Sequence, residues 1–375
     1  MSKSVRAIVS VTNDLYTDQR VHKVCTFLQG QGYDVLLIGR KLKSSVELPK
    51  RTYATKRIKL IFERGPLFYG FFNLRLFFLL LFKKVDVLVA NDLDTLLANH
   101  WAKKFKRSAT LVYDSHEYFT EVPELTSRPK VQRFWLRIER KIFPSLQKIY
   151  TVNQSIAEIY SHLYQKDVKV VRNISPLWKP QELLDKKTLG IPENKSLIIL
   201  QGAGINVDRG AEEAVEAMQH IDAVLMIVGD GDVIPQLKSR VTALNLQERV
   251  LFYGKQPYDR MMNFTHHADI GLTLDKPSNL NYKLSLPNKV FDYMHTGTAI
   301  VATDIKEVAH IVRSYKIGEI LTEFTVEHLA ETLRSLLNDP EWLSSYKHNC
   351  SIAAHQENWE KETEVLKEIY PYVGR

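Results

Sequence analysis

Residues 285–304, SLPNKVFDYMHTGTAIVATD, hold the pattern with the clearest chemistry. They read as loop, helix, tight turn and buried strand. Pro287 is placed to open the helix, where its missing N–H would be unpaired anyway. Lys289 then falls in the first turn, at the positive end of the helix dipole. A cation is unfavourable there unless an anion lies between the two. Asn288 and Lys289 precede Asp292 by four and three residues, so all three share one helical face. A cation, an amide and a carboxylate at a helix start suit a phosphate joined to a hydroxyl-bearing sugar.

A second cation occupies a similar position. The apolar run 197–200 is followed by QGAGINVDRGAEEAVEAM. Its glycines, Gly204 among them, let backbone approach a phosphate, and Arg209 with Gly210 opens the next helix. After the run 224–228 comes GDGD, a tight turn beginning at Gly229 that serves either structure or the border of a nucleotide. After 250–253 comes Gly254-Lys255-Gln256, whose backbone could frame a base. Lys255 either reaches a phosphate or stays solvated.

The first half offers a different set. The run 110–113 ends in Asp114-Ser115-His116-Glu117, and 85–90 ends in Asn91-Asp92. The first strand's turn supplies Asn13 and Asp14, then Asp18 and Arg20 at a helix start. A histidine at a strand's carboxyl end beside Asp and Glu is a site candidate. Extended residues alternate in direction, so at most Asp114 and His116 converge, and no catalytic metal is expected. Ser–His–Asp order, H-E-x-x-H and Walker A patterns are absent. The glycine fingerprint of a dinucleotide site is absent too, since Thr12-Asn13-Asp14 stands where it would begin.

These residues need a scaffold that gathers strand ends. Strands are predicted at 7–11, 34–38, 58–62, 85–90, 110–113, 148–152 and 168–171. Helices are predicted between them near 19–29, 67–82, 94–105, 131–143 and 155–163. After a proline-bearing stretch at 175–195 the alternation restarts, with strands at 197–200, 224–228, 250–253, 270–274, 299–302 and 319–321. Buried, β-branched runs alternating with helices specify a parallel α/β sheet covered on both faces. Ligands of such sheets bind beyond the strands' carboxyl ends. Two doubly wound domains follow, expected at 1–178 and 179–352. An amphipathic helix in 353–375 carries Trp359, Val365, Leu366 and Ile369 against Glu360, Lys361, Glu364 and Lys367.

Composition narrows the partners. Lys and Arg total 51 against 43 Asp and Glu, a net charge of +8. That excess suits phosphorylated substrates or an anionic membrane surface. Without a dense basic run, nucleic acid is not the expected partner. Two distant cysteines, Cys25 and Cys350, exclude a disulfide framework and fit a reducing compartment. The start, MSKSVRAIVSV, lacks the apolar core of a signal peptide, so a cytoplasmic protein is expected. The stretch 67–82, LFYGFFNLRLFFLLLF, has 16 residues interrupted by Asn73 and Arg75. That is short for a span of about 20 residues. Two readings stand: a core helix feeding the next strand, or a monotopic surface helix flanked by Arg64 and Lys83-Lys84.

Together these motifs resemble the retaining glycosyltransferases of family 4. DQRVHKVCTFLQGQGYDVLLIG, VANDLDTLLA, VYDSHEYFTEVPEL and VKVVRNISP resemble that family's first domain. RG after QGAG is similar to its phosphate loop. SLPNKVFDYMHTGTAIVATD resembles its S-x-P-x-K-x-F-E-Y-M-x-x-G donor motif, of the S-x-P-N-K subgroup. ENWEKETEVLKEIY is similar to its terminal helix, which crosses back onto the first domain.

The resemblance implies the GT-B fold, two Rossmann-like domains facing each other across a cleft. It implies that His116 contacts the transferred sugar, that Arg209 and Lys289 hold the donor's diphosphate, and that Asp292 binds ribose hydroxyls. Ser285 joins the donor side through the motif, and Asp18, Arg20, Asp92 and Glu117 fall on the acceptor side. Three positions depart from the pattern: Leu284 stands where a Glu is expected, Asp292 shortens the second Glu, and Ala203 replaces an Arg.

The implied activity moves a sugar from a UDP- or GDP-linked donor to a hydroxyl, without a cofactor. The expected acceptor is a lipid-linked or growing polysaccharide at the inner membrane face. A sugar-nucleotide epimerase and a non-catalytic two-lobed sugar-binding protein are the alternatives.

Overall fold

The computed structural model describes residues 4–374. Two wholly parallel sheets carry it. The first has seven strands: β1 (Arg6–Asp14), β2 (Asp34–Lys41), β3 (Ala54–Lys59), β4 (Val87–Asn91), β5 (Thr110–Ser115), β6 (Lys148–Thr151) and β7 (Lys169–Val170). Their spatial order is β3-β2-β1-β4-β5-β6-β7. The second has six: β8 (Leu197–Gly202), β9 (Val224–Gly229), β10 (Val250–Gly254), β11 (Ile270–Thr273), β12 (Ala299–Thr303) and β13 (Gly318–Leu321). Their order is β10-β9-β8-β11-β12-β13. Both are doubly wound, with the strand order reversing between β1 and β4 and between β8 and β11. Those are the points where such sheets bind ligands.

The runs are apolar because both faces of each sheet are covered. Along β8, Ile198 and Leu200 pack into one buried cluster and Leu197 and Ile199 into the other. A two-residue period thus feeds two cores from one strand.

One predicted strand is displaced. The apolar residues of 58–62 pointed to a strand there, but β3 ends at Lys59, where its pairing with Lys41 of β2 ends. Phe62 leaves the sheet and stacks on Phe71 at 5.8 Å. Three helices of the first sheet matter below: α1 (Gln19–Gly30), α2 (Gly65–Phe82) and α3 (Leu93–Phe105).

By packing, described residues up to Asn173, with those from Glu362 onward, form one compact unit, and Ile174–Lys361 form the other. The C-terminal segment is fastened within the first unit. Arg172 Nη2 and Nε meet Glu362 Oε1 at 2.6 and 2.9 Å. Tyr370 is buried, and Tyr33 donates to the Pro371 carbonyl at 3.0 Å.

Candidate functional site

In the first unit, β1, β4 and β5 deliver a compact charged cluster. Asp92 follows β4 with φ 58° and ψ 167°. That region is nearly exclusive to glycine, so the backbone is strained and its neighbours must hold it. Its N–H donates to the Asp114 carbonyl at 2.8 Å. Its carboxylate accepts from the His116 backbone N–H at 2.8 Å and lies 3.3 Å from His116 Nδ1. On the other side of the ring, Nε2 is 3.1 Å from Asn91 Oδ1 and 3.3 Å from Asp114 Oδ2.

Burial pulls the His116 imidazolium down, but Asp92 and Asp114 outweigh it and push the group up to about 9. Burial likewise opposes ionisation of Asp114, yet Arg20 and His116 hold it down at about 2. The cluster is therefore a fixed array of opposite charges at a strand terminus.

Arg20 departs from its expected place. It does not line an open acceptor surface. Its guanidinium is buried, with Nη2 2.7 Å from Asp114 Oδ1 and Nη1 2.9 Å from the Val171 carbonyl. It neutralises the carboxylate that supports His116. Asp18 caps α1 through the Val21 N–H at 3.0 Å and also accepts from Asn13. Glu117 is half-buried, and its carbonyl accepts from Ser115.

The sequence reading did not assign Asn91 a role, and it missed Asp94. The Asp94 carboxyl is buried two residues after Asp92, accepts from Thr12 Oγ1, and is pushed up to about 8 by burial and by Asp92.

In the second unit two cations, Arg209 and Lys289, are set near the carboxylates of Asp275 and Asp292. Arg209 ends the turn after β8. Gly210, at φ 74°, follows it, and a Cβ there would sit 2.3 Å from Leu274 Cβ. Only glycine allows so close an approach. The approach brings Arg209 to Asp275, which follows β11: Nη1 to Oδ2 is 2.6 Å. The guanidinium also lies 4.1 Å from the Tyr282 ring centre. Arg209 Nε and Asp275 Oδ1, both buried, have no hydrogen-bond partner among the described residues.

Lys289 begins the helix Lys289–Thr296. Burial pulls its ammonium down; Asp275 opposes that and Arg209 adds to it, so the three groups sense one another. The helix begins at Lys289 rather than at Pro287, although the chain already turns there, with Val290 N–H donating to the Pro287 carbonyl.

Asn288 and Asp292, at either end of the expected face, differ in burial. Asn288 is exposed and makes no side-chain cap. Asp292 is 5% exposed and accepts from Gln201 Nε2 and Tyr258 OH, each at 3.1 Å.

The other expected donor residues fall into two kinds. Ser285 donates to the Tyr282 carbonyl, and Gly229 lets the ends of β8 and β9 lie close, since a Cβ added there would meet Gly202 O at 1.8 Å. Gly204 and Lys255 are exposed, and Lys255 makes no ion pair among the described residues. Asp275, Gln201 and Tyr258 escaped the sequence reading. Asp275 alone carried a usable signal, being a carboxylate just past a strand at the switch point.

Two family models match this chain. "Glycosyltransferase Family 4" covers residues 18–174, and "Glycosyl transferases group 1" covers 182–357. The chain belongs to glycosyltransferase family 4. A curated relative is N-acetyl-alpha-D-glucosaminyl L-malate synthase of Bacillus anthracis, 22% identical over 54% of this chain and 50% of that protein. The chain spans about half the length of the curated relatives it matches.

Solved structures agree over nearly the full length. Sucrose-phosphate synthase of Thermosynechococcus elongatus superposes with a TM-score of 0.77 at 16% identity, covering 98% of both chains. Anabaena HepE, solved in complex with UDP, superposes with a TM-score of 0.71 at 14% identity, covering 97% of this chain and 99% of that one. This family 4 chain therefore has the GT-B fold.

Proposed function

We propose that this family 4 chain transfers a sugar, with retention of anomeric configuration, from a UDP- or GDP-linked donor to a hydroxyl. The observation that carries the reading is Arg209, held 2.6 Å from Asp275, with Lys289 at a helix start close enough to feel both charges. Burial disfavours the Lys289 charge, so an incoming anion beside Lys289 and Arg209 would be favoured by both cations. A nucleoside diphosphate supplies it. The binding of UDP by HepE, a structural neighbour, supports this choice of ligand.

The chemistry follows from where charge appears. Breaking the bond between the anomeric carbon and the diphosphate oxygen leaves the electron pair on the diphosphate. Cations fixed in advance stabilise that charge as it develops, and no cofactor is required. Lys289 and Arg209 do this work, while Asp292, Ser285, Asn288, Gly204, Gly210, Gly229 and Lys255 frame the nucleotide and sugar. In the first unit His116 meets the transferred sugar, and Asp18, Asp92 and Glu117 serve the acceptor side. The acceptor hydroxyl attacks the face the diphosphate leaves, and its proton passes to the departing phosphate oxygen.

The acceptor is lipid-linked or a growing polysaccharide, and the protein works in the cytoplasm against the inner membrane face. A panel of UDP- and GDP-sugars tests the transfer. Release of one nucleoside diphosphate, with an α-linked product from an α-linked donor by NMR, is expected. An inverted product or an isomerised free nucleotide sugar would overturn the reading, the latter in favour of an epimerase.

A further inference from the structure

Helix α2 has two apolar faces. Phe68, Phe72, Leu76 and Leu80 are buried in the first unit's core. Leu67, Phe71, Leu74, Phe78 and Phe82 are between 46% and 82% exposed. These five recur at intervals of four and three residues, so they form one stripe along the outer side of the helix. An 18-residue helix is about 27 Å long. α2 is the one described helix long and apolar enough to cross a membrane, yet its inner face is committed to the core, so it lies along a surface rather than through one. Phe77 extends the outer patch to α3, meeting Trp101 and Phe105 with ring centres 6.2 and 6.0 Å apart. Both α3 rings are exposed.

Uncompensated positive charge borders this patch. A hollow of about 630 Å³ beside the stripe is lined by Lys56, Lys59, Arg75 and Lys83 together with Phe78 and Phe82. None of these four cations makes an ion pair with a carboxylate among the described residues. A second hollow, of about 580 Å³, is lined by His100, Lys103, Lys104 and Arg107. No Asp or Glu occurs in 64–85 or in 95–113. A second copy of the chain docked symmetrically on this face would press cations against cations. An anionic bilayer complements both features at once.

We propose that the outer face of α2 binds a bilayer monotopically. In that arrangement the Lys56, Lys59, Arg75 and Lys83 hollow takes the phosphate of an anionic phospholipid headgroup, and Phe78 and Phe82 sit against its acyl chains. This deepens the membrane-face reading above by naming the surface and its lipid.

Flotation of the full chain tests it, using vesicles of phosphatidylcholine alone or with phosphatidylglycerol. The wild type is expected to float with the anionic vesicles and not with the neutral ones. Phe71→Ser/Phe78→Ser/Phe82→Ser and Lys59→Glu/Lys83→Glu are each expected to weaken that binding by about tenfold or more. Where the triple variant fails to fold, the charge reversal and Phe82→Ser alone decide the matter.

No flotation, equal flotation with neutral vesicles, or undiminished binding by folded variants would overturn the proposal. So would a dimer abolished by the same substitutions without vesicle binding, which would assign the face to a second copy. These variants lie outside the donor residues. Their thermal shift with a nucleoside diphosphate separates failure here from failure of the transferase reading.

Discussion

The His116 cluster and the Arg209–Lys289 cluster are built on the same part of two similar sheets, yet their charges are paired differently. Around His116 two carboxylates flank the ring and buried Arg20 neutralises one of them, while Asp94 Oδ1 nearby has no hydrogen-bond partner among the described residues. Around Arg209, its pair with Asp275 leaves Arg209 Nε and Asp275 Oδ1 without a hydrogen-bond partner among the described residues, and both charges act on Lys289. Buried polar groups are normally paired, and on the proposed reading the donor supplies the partners of Arg209 Nε and Asp275 Oδ1. On the proposed reading, the difference is that the His116 ring is held by its own carboxylates whereas Arg209 and Lys289 receive an anion.

The largest expected effect comes from breaking the Arg209–Lys289 cluster. Lys289→Ala and Arg209→Ala should each lower turnover by about 10²–10³-fold, as loss of one preorganised charge-stabilising group does. Steady-state assays with the preferred donor read this, and near wild-type turnover in either variant would detach that cation from the chemistry.

The His116 cluster should also show itself in stability. The folded pKa of His116, about 9, lies above its unfolded value of 6.5. Its contribution is thus fully present below pH 6.5 and lost as pH rises through about 9. Denaturant melts should show His116→Gln less stable than wild type by up to about 3 kcal/mol at pH 6, with the gap narrowing by pH 9. A gap independent of pH would mean that His116 is not held as a cation.

Glycines sharpen the contrast within the second unit. Gly210→Ala would force a Cβ onto Leu274 at a positive φ, and should cost about 1–3 kcal/mol and displace Arg209. Gly204→Ala meets nothing closer than Asn206 Nδ2 at 3.6 Å and should stay within about 0.5 kcal/mol of wild type. Equal losses in thermal melts would contradict this account of how Arg209 is placed.

The smallest effect concerns strain. Asp92→Gly should be more stable than Asp92→Ala by about 1 kcal/mol, because both lose the carboxylate but only glycine relaxes φ 58°.

Local chemistry made part of this legible in sequence. Arg209 and Lys289 stand at helix starts, where a cation is out of place unless it has an anion to meet. His116 ends a strand at the edge of an apolar run. What stayed hidden depends on partners fixed by the fold. Arg20 reads as an exposed helix-start cation until Asp114, 94 residues away, is brought beneath it. Asp292 sits in the donor motif, but Gln201 and Tyr258 come to it from β8 and from the helix Tyr258–His267. α2 is apolar on every side, so periodicity gave no sign of which face would be buried. Phe72 proved to be core and Phe78 surface.

The central claim, that the Arg209–Lys289 cluster receives a diphosphate, is tested most directly by thermal unfolding with UDP and GDP in EDTA, for wild type and Lys289→Ala. At 100 times its dissociation constant the right nucleotide should stabilise the wild type by about 2.7 kcal/mol. Most of that gain should vanish in the variant. No stabilisation by either diphosphate, or the same stabilisation in both proteins, would contradict the claim.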